Sequence, residues 1–315
     1  MEYIADTTEF QIEEPTVVTL GKFDGRHRGH QKLMRKMQEV KEAYGYSTAV
    51  FTFSGTPAQM IAGGKQTVLT TSLERRNNMK KTGIDYLVEY PFNEQTQHML
   101  PEEFVKEILV GRMHARAIVV GTDCGFGYKR SGNAQVLGEL AERYGYRLWV
   151  IDKEKDELRD ISSTYIREEL DKGNVEKANE LLGEPYAIHG TVVHGRHMGG
   201  SILGFPTANL VPPAIKRLPR FGVYVSRVLV DGLYYRGVTN IGKKPTIDGE
   251  NPVGVETYIF GLDQDIYGRI IEVQLLSFIR PERAFDGLEA LRQQIAADKE
   301  TAAAYFAAHP EMQAD

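Results

Sequence analysis

The sequence has very little cysteine, since Cys124 is the single one among 315 residues. This excludes an internal disulfide and most cysteine-based metal sites, because both need several cysteines. No apolar run approaches the roughly 18 residues expected of a membrane span. The first residues, MEYIADTTEFQIEEP, are acidic and lack the apolar core of a secretory signal. We therefore expect a soluble, cytoplasmic protein with no membrane partner.

Positive charge is not in excess either: 38 Lys and Arg stand against 43 Asp and Glu, a net charge of −5. This balance disfavours a protein that follows a nucleic-acid backbone. One local basic cluster is the exception: Lys22, Arg26, Arg28, Lys32, Arg35 and Lys36. A solvated helix face explains such a cluster equally well.

Hydrophobic residues make up 42% of the chain, enough for a sizeable core, and the length fits about two domains of roughly 150 residues each.

The first half of the chain alternates short apolar segments with amphipathic ones. This alternation is typical of a doubly wound parallel sheet with helices on both faces, an α/β Rossmann-like domain. The predicted strands are Thr16–Leu20, Ser47–Phe53, Tyr86–Glu89, Ala117–Gly121 and Tyr146–Ile151. The predicted helices span about 29–44, 72–82, 101–109 and 133–144.

The second half has a different pattern. Two short helices are predicted at 162–171 and 175–182, and a long one closes the chain at about 287–306. Between about 186 and 278 there are only strand-like pieces separated by Gly, Pro and Asp, which predicts an all-β antiparallel barrel or sandwich. We place the domain boundary near Gly183, giving domains 1–183 and 184–315.

The loop after the first strand is the first candidate site, with the sequence GKFDGRHRGH from Gly21 to His30. Open α/β sheets bind ligands outside the carboxyl ends of their strands, and a helix N-terminus offers N–H groups to a phosphate. His27 and His30 flank Gly29, so both imidazoles are expected to face that phosphate. A metal-binding histidine pair is the alternative, but no third ligand cluster is visible. Neither a Walker A loop nor a GxGxxG fingerprint occurs.

The second candidate site lies in the strand-rich half. Thr207 and Asn209 alternate along one strand, so both can offer oxygen atoms to Mg²⁺. The glycine-rich stretch that contains Gly195, Gly199 and Gly200 can wrap phosphates with backbone N–H groups. Glu256 is the only acidic residue in VGVETYIFG. An outward-facing structural role is the plain alternative for this carboxylate.

The first loop resembles a family signature, GxFDGxHxGH, of bacterial FAD synthetases within the HxGH nucleotidyltransferase superfamily. Two later segments, 120–133 and 161–167, are similar to that family's VGxDFxFGxxRxGd and ISSTxIR segments in the same order. The resemblance implies adenylyl transfer from ATP to FMN, giving FAD and pyrophosphate. It also implies roles for individual residues. His27 and His30 would stabilise charge on the α-phosphate, and Ser163 and Arg167 would hold the outgoing β,γ-phosphates. The other residues implied in ATP or flavin binding are Gly21, Phe23, Asp24 and Gly29 for the phosphates, and Asp123, Phe126 and Asn133 for the flavin.

The second half resembles the riboflavin kinase module through GFPTAN, NIGKKPT and ETYIF, followed by FIRPE. The implied reaction transfers the ATP γ-phosphate to the ribityl 5′-hydroxyl of riboflavin. Glu256 would be the general base, and Thr207 and Asn209 would ligate Mg²⁺. Gly195, Gly199 and Gly200 would cover the nucleotide, and Arg280 would contact the flavin.

Together these motifs predict a bifunctional riboflavin kinase/FMN adenylyltransferase that handles riboflavin, FMN, FAD and ATP. Two departures leave alternatives open. The family's TFxPHP segment corresponds here to Thr52–Pro57 without its histidine, and Cys124 replaces a phenylalanine. One alternative is a riboflavin kinase with a silent or retargeted N-terminal module. The other is a flavin-binding RNA regulator that uses the basic cluster. The sequence carries no signal for an oligomeric state.

Overall fold

The computed structural model describes residues 1–54, 67–194, 207–243 and 253–312. Its contacts divide the chain into two compact units, Met1–Ser163 and Thr164–Asp315. No helix among the described residues is long and apolar enough to cross a membrane. The two units have different architectures, and each is described separately.

The described residues of the first unit form one parallel sheet of six strands in the order β1-β4-β3-β2-β5-β6. The strands are β1 (Glu2–Ala5), β2 (Thr16–Leu20), β3 (Ser47–Phe53), β4 (Tyr86–Tyr90), β5 (Ala115–Gly121) and β6 (Arg147–Ile151). The predicted strands are confirmed. The edge strand β1 was not predicted, because four residues in an acidic segment give no clear alternating pattern.

The helices of the first unit follow the predicted positions with two differences. The helices are α1 (Arg28–Tyr44), α2 (Ser72–Lys81), α3 (Glu94–His98), α4 (Pro101–Glu103, continuing as a π-helix over Phe104–Arg112) and α5 (Ala134–Tyr144). The short α3 was not predicted, and its capping residue is Asn93, whose side chain accepts from the Thr96 N–H. The helix that opens at Pro101 ends at Arg112, three residues later than predicted, and its second part has π geometry.

Helices cover the sheet on both faces, as a doubly wound fold requires. Val17 and Val50 pack toward α1 and α2, where they meet Met37 and Met79. The next residues along the same strands, including Val18 and Phe51, pack toward α4 and α5. Successive strand residues point to opposite faces, so strands buried on both sides are apolar throughout. The predicted α/β class is confirmed.

The strand order reverses at β2, which pairs with β3 on one side and with β5 on the other. The connections after β2 and after β5 therefore leave the sheet in opposite directions. Such a switch point opens a crevice at the carboxyl ends of the two strands. The loop that begins at Gly21 and the loop that follows Gly121 border this crevice.

The second unit contains a closed antiparallel barrel in the order β10-β11-β8-β7-β12-β9. Its described strands are β7 (Tyr186–Val193), β8 (Thr207–Leu210), β9 (Gly222–Val230), β10 (Leu233–Lys243), β11 (Val253–Ile259) and β12 (Ile270–Pro281). Helices α6 (Ser163–Lys172) and α7 (Val175–Leu182) precede the barrel, and α8 (Leu288–Ala308) follows it. The predicted barrel and terminal helix are confirmed.

The two faces of the barrel wall carry different side chains. Ser226, Thr239 and Thr257 are fully buried on one face, where the Thr239 hydroxyl lies 2.7 Å from Ser226 Oγ and 2.9 Å from Thr257 Oγ1. On the other face, Val223 and Val238 pack against Phe306 and Ala302 of α8. The terminal helix therefore covers part of the outer face of β9 and β10.

Candidate active sites

The histidine pair of the first unit lies at the N-terminus of α1. His27 is the N-cap residue, and its Nδ1 accepts from the His30 backbone N–H at 3.4 Å. The two imidazoles are stacked with ring centroids 3.7 Å apart. The Nδ1 atom of His30 lies 3.0 Å from the Gly25 carbonyl oxygen. The start of the helix therefore holds both rings in fixed orientations.

These contacts also define where each ring carries its proton. A carbonyl oxygen only accepts, so His30 Nδ1 is protonated and donates to Gly25. His27 Nδ1 accepts from an N–H, so the proton of a neutral His27 is on Nε2. Burial lowers the pKa of His27 to about 2, assisted by the neighbouring His30, and burial lowers the pKa of His30 to about 4. Both rings are therefore neutral near pH 7 in the free protein.

Gly29 and Phe23 make this arrangement sterically possible. A Cβ atom at Gly29 would lie 3.2 Å from the His27 ring, so a side chain there would press on the imidazole. Phe23 has a positive φ of 47° and is buried, and its ring centroid lies 5.0 Å from that of His30. The same ring lies beneath Gly21, where a Cβ would be 3.2 Å from Phe23 Cζ. Phe23 thus supports His30 from the hydrophobic core.

Asp24 and Ser163 tie other segments to this loop. The Asp24 carboxylate accepts from the Leu69 and Thr70 backbone N–H groups at 2.7 and 3.0 Å. The Ser163 hydroxyl donates to the Asp24 carbonyl oxygen at 2.6 Å. The structure thus brings Ser163 to the histidine loop from far along the chain. Arg167 lies on α6, four residues after Ser163.

The loop after β5 forms the other border of the crevice. Exposed Asp123 lies 3.4 Å from Lys153, and its charge favours a protonated His30. Phe126 is buried in the core and pairs with Gly132 through two backbone hydrogen bonds. Asn133 caps α5 by accepting from the Val136 N–H. The three flavin residues predicted in the first unit therefore all have structural contacts of their own.

Two features of the sequence have structural explanations. Cys124 packs partly buried against the core, and burial raises the pKa of its thiol to about 12, so it is a small apolar side chain and not a reactive thiolate.

In the basic cluster, Arg28 and Lys32 lie 3.1 and 3.6 Å from Glu154, and Lys36 lies 2.9 Å from Glu39. These ion pairs explain half of the cluster without RNA.

In the barrel, three polar residues occupy one row across neighbouring strands. Glu256 of β11 is directly opposite Asn209 of β8 and directly opposite Asn240 of β10. Directly opposite residues of antiparallel strands share a face, with Cβ atoms about 4.5–5.5 Å apart. The Glu256 carboxylate therefore stands between two carboxamides. We call these three residues the polar row.

Thr207 lies on the same face as the polar row, two residues before Asn209. The Asn209 Nδ2 donates to the Thr207 carbonyl oxygen at 3.1 Å, which turns its Oδ1 the other way. Oδ1 and the Thr207 hydroxyl are neutral oxygen donors of the kind that Mg²⁺ accepts, so the residues present fit this cation. Among the described residues, no cluster of three or more His, Cys, Asp or Glu is suited to hold a metal ion.

Arg280 of β12 forms a forked ion pair with Asp298 of α8, with Nη2 to Oδ2 at 2.7 Å and Nε to Oδ1 at 2.9 Å. Asp298 is buried, so the pair fastens the terminal helix to the barrel. Gly195, Gly199 and Gly200 lie outside the described residues, as do residues 55–57 of the segment that departs from TFxPHP.

Comparison with known proteins gives matches along nearly the whole chain. Residues 9–165 match the family model described as FAD synthetase, and residues 182–306 match the one described as riboflavin kinase. A bifunctional riboflavin kinase/FMN adenylyltransferase from Listeria monocytogenes is 34% identical over 303 residues, which cover 96% of each chain. This chain belongs to the bifunctional riboflavin kinase/FMN adenylyltransferase family. The family predicted from the motifs is confirmed, with both of its enzyme modules.

Other relatives agree with this membership. The Bacillus subtilis and Escherichia coli K12 proteins of the same name are 36% and 35% identical and cover 92% and 93% of this chain, and 92% and 94% of their own. A crystal structure from Streptococcus pneumoniae, named a macrolide-efflux protein, superposes with a TM-score of 0.85 at 33% identity, covering 96% of this chain and 98% of that one. Kinase and adenylyltransferase activities both use ATP, generally with a divalent metal ion.

Sequence reasoning missed three residues that the structure brings to the barrel site. Asn240 completes the polar row. Lys299 of α8 donates to the Tyr258 hydroxyl at 3.2 Å, and Tyr258 is directly opposite Thr207. The Glu282 carboxylate lies against Gly242, where a Cβ atom would overlap with it. Only strand register and the position of α8 reveal these neighbours, although NIGKKPT and FIRPE contain two of them.

Proposed function

We propose that the protein makes FAD from riboflavin in two ATP-dependent steps, one in each unit. The second unit phosphorylates riboflavin to FMN, and the first unit transfers an adenylyl group from ATP to FMN with release of pyrophosphate. The observation that supports the proposal is that one chain contains two different side-chain arrangements, each suited to binding phosphate. The stacked histidines lie at a helix start, and the polar row crosses a barrel wall.

In the kinase step, Glu256 accepts the proton of the riboflavin 5′-hydroxyl as that oxygen attacks the γ-phosphorus of ATP, and the bond from this phosphorus to the β,γ-bridging oxygen breaks to release ADP. Thr207 and Asn209 would hold Mg²⁺, which neutralises charge on the phosphates when bound. Gly195, Gly199 and Gly200 would cover the nucleotide. Arg280 would help to bind the flavin by keeping α8 in place beside the barrel face, through its ion pair with Asp298.

In the adenylyl step, neutral His27 has its proton on Nε2, which suits donation to an oxygen of the α-phosphate. The N–H groups at the start of α1 support the same negative charge. His30 keeps the stack in register through its bond to Gly25, and its Nε2 would donate to the phosphate only after the ring gains a proton, which the negative charge of the phosphate favours. Charge thus develops among preoriented donors, which is the main source of acceleration in such reactions.

The remaining predicted residues complete this proposal. Ser163 and Arg167 would grip the outgoing pyrophosphate, with the helix start and the guanidinium as donors. Gly21, Phe23, Asp24 and Gly29 would shape the phosphate loop. Asp123, Phe126 and Asn133 would border the flavin. We also propose a module boundary at Gly183 and a cytoplasmic location, where ATP is available.

The test is an incubation of the purified protein with riboflavin and MgATP, with products separated by chromatography over time. FMN that appears first and then declines as FAD accumulates is the expected result. FMN alone would contradict the adenylyl step. The absence of any product from protein that is folded by circular dichroism would contradict both steps.

A further inference from the structure

The loop after β5 holds the side chain of Arg130 in place without a carboxylate to neutralise it. Arg130 is exposed, and its guanidinium lies against Gly125, where a Cβ atom would be 2.8 Å from both Nε and Nη2. None of the described residues forms an ion pair with Arg130. The nearby carboxylate of Asp123 instead lies 3.4 Å from Lys153. The guanidinium charge is therefore available to a negatively charged ligand.

The backbone that carries this guanidinium has an unfavourable conformation. Lys129 and Arg130 are consecutive residues with φ of 51° and 59°. Residues other than glycine rarely adopt such values, because the Cβ atom crowds the backbone. Strain of this kind persists only where the surrounding structure enforces it, and it is concentrated at functional sites. Because its side chain forms no ion pair among the described residues, Arg130 has no such contact to offset the strain.

Backbone hydrogen bonds fix the loop on both sides of Arg130. Phe126 and Gly132 exchange two of them, at 3.0 and 2.9 Å, and the Tyr128 N–H donates to the Met99 carbonyl oxygen at 2.8 Å. The Arg130 N–H itself donates within the loop at 3.0 Å and closes a tight turn. A guanidinium held on such a loop loses little conformational freedom when it binds a ligand.

The same loop borders the crevice beside the stacked histidines. Burial lowers the pKa of His30 to about 4, and the charge of Asp123 acts against this shift. Burial raises the pKa of the Cys124 thiol to about 12, and the charge of Arg130 acts against that shift. Arg130 therefore adds positive charge to the β5 side of the crevice. The proposed adenylyl step brings the phosphates of two substrates together in this crevice.

We propose that Arg130 binds a phosphate group of a substrate in the adenylyl step. A guanidinium can donate two parallel N–H groups to two oxygens of one phosphate, which the ammonium of a lysine cannot do. The phosphate has two possible sources, the triphosphate of ATP and the phosphate of FMN. In that step an oxygen of the FMN phosphate forms a bond to the α-phosphorus, and the bond from this phosphorus to pyrophosphate breaks. The proposal rests on the proposed adenylyl function and adds Arg130 to the residues predicted from the motifs.

The experiment measures steady-state FAD formation from FMN and MgATP by the full chain and its variants Arg130→Gly and Arg130→Lys. Loss of a charge-assisted contact should raise the KM for one substrate about 10- to 100-fold in Arg130→Gly. The rise should be smaller in Arg130→Lys, which keeps the charge without the fork. A higher KM for FMN alone identifies the flavin phosphate as the ligand, and a higher KM for ATP alone identifies the triphosphate.

Lys129→Gly is the matched control, because Lys129 is exposed and has the same kind of backbone strain one residue earlier. It should leave both KM values unchanged. Thermal unfolding separates binding from a structural role. Glycine adopts a positive φ without strain, so both glycine variants should unfold at about the same temperature as the wild type or higher.

Three results would overturn the proposal. They are unchanged KM values in Arg130→Gly, an equal rise in both KM values, and an unfolding temperature of Arg130→Gly well below that of Lys129→Gly. The last would show that the guanidinium stabilises the loop. A wild-type protein that makes no FAD from FMN would instead contradict the adenylyl function itself.

Discussion

The two units carry candidate phosphate sites that are built differently. In the first unit, His27, Gly29 and His30 are neighbours in sequence, and a helix start sets their geometry. In the second unit, Asn209, Glu256 and Asn240 come from three strands, and antiparallel register alone brings them together. The first site is therefore sensitive to local sterics, whereas the second depends on strand pairing far along the chain.

Glu256→Gln tests the independence of the two units with the largest expected effect. Gln keeps the shape of the side chain but does not accept the hydroxyl proton, so FMN formation should fall about 10²- to 10⁴-fold. FAD formation from added FMN should continue at the wild-type rate. Both rates are measured by chromatography on one preparation. A parallel loss of both reactions would show that the units do not work separately.

His30→Ala is the converse change in the first unit. It removes the ring stacked on His27, so FAD formation from FMN should fall about 10²- to 10³-fold while riboflavin phosphorylation is retained. The measurement is FAD produced from FMN and MgATP. His98→Ala is a suitable control, because that histidine is exposed on α3. An unchanged FAD rate would remove His30 from the mechanism.

Gly29→Ala sharpens the claim that local sterics govern the histidine site. The added Cβ would lie 3.2 Å from the His27 ring and shift it by a few tenths of an ångström, which should lower the FAD rate about tenfold. Gly138→Ala in α5 is the matched control, since its Cβ would meet Leu148 at an ordinary 3.8 Å. Equal FAD rates for the two variants would contradict the steric argument.

The effect that lies outside catalysis is on stability against acid. The folded pKa values of His27 and His30 lie near 2 and 4, below the ordinary 6.5, so the unfolded chain binds more protons below pH 6.5. The neutral histidines make their full contribution to the free energy of unfolding above pH 6.5. This contribution declines as the pH falls toward 4, by up to about 1.4 kcal/mol per pH unit for each histidine. Urea unfolding between pH 7 and 5 measures it. The double variant His27→Gln/His30→Gln should lose less stability over that range, and an equal loss would refute the assignment.

Short-range signals in the sequence predicted most of the fold. Apolar segments such as Thr16–Leu20 and Ser47–Phe53 have the predicted bounds, because strands buried on both faces are apolar throughout. Edge strand β1 and helix α3 were missed, since they bury little and have weak periodicity. The apolar pattern of α4 likewise gives no indication that this helix continues as a π-helix.

The sequence by itself determined the two architectures, the order of the modules and the site residues that share a motif, because each depends on local patterning. Only the tertiary structure decided the partners of those residues. The fixed protons of His27 and His30, the bond from Ser163 to Asp24 and the place of Asn240 beside Glu256 all join groups through folded geometry. Strand register and helix capping depend on distances between atoms, and the linear sequence does not give these distances.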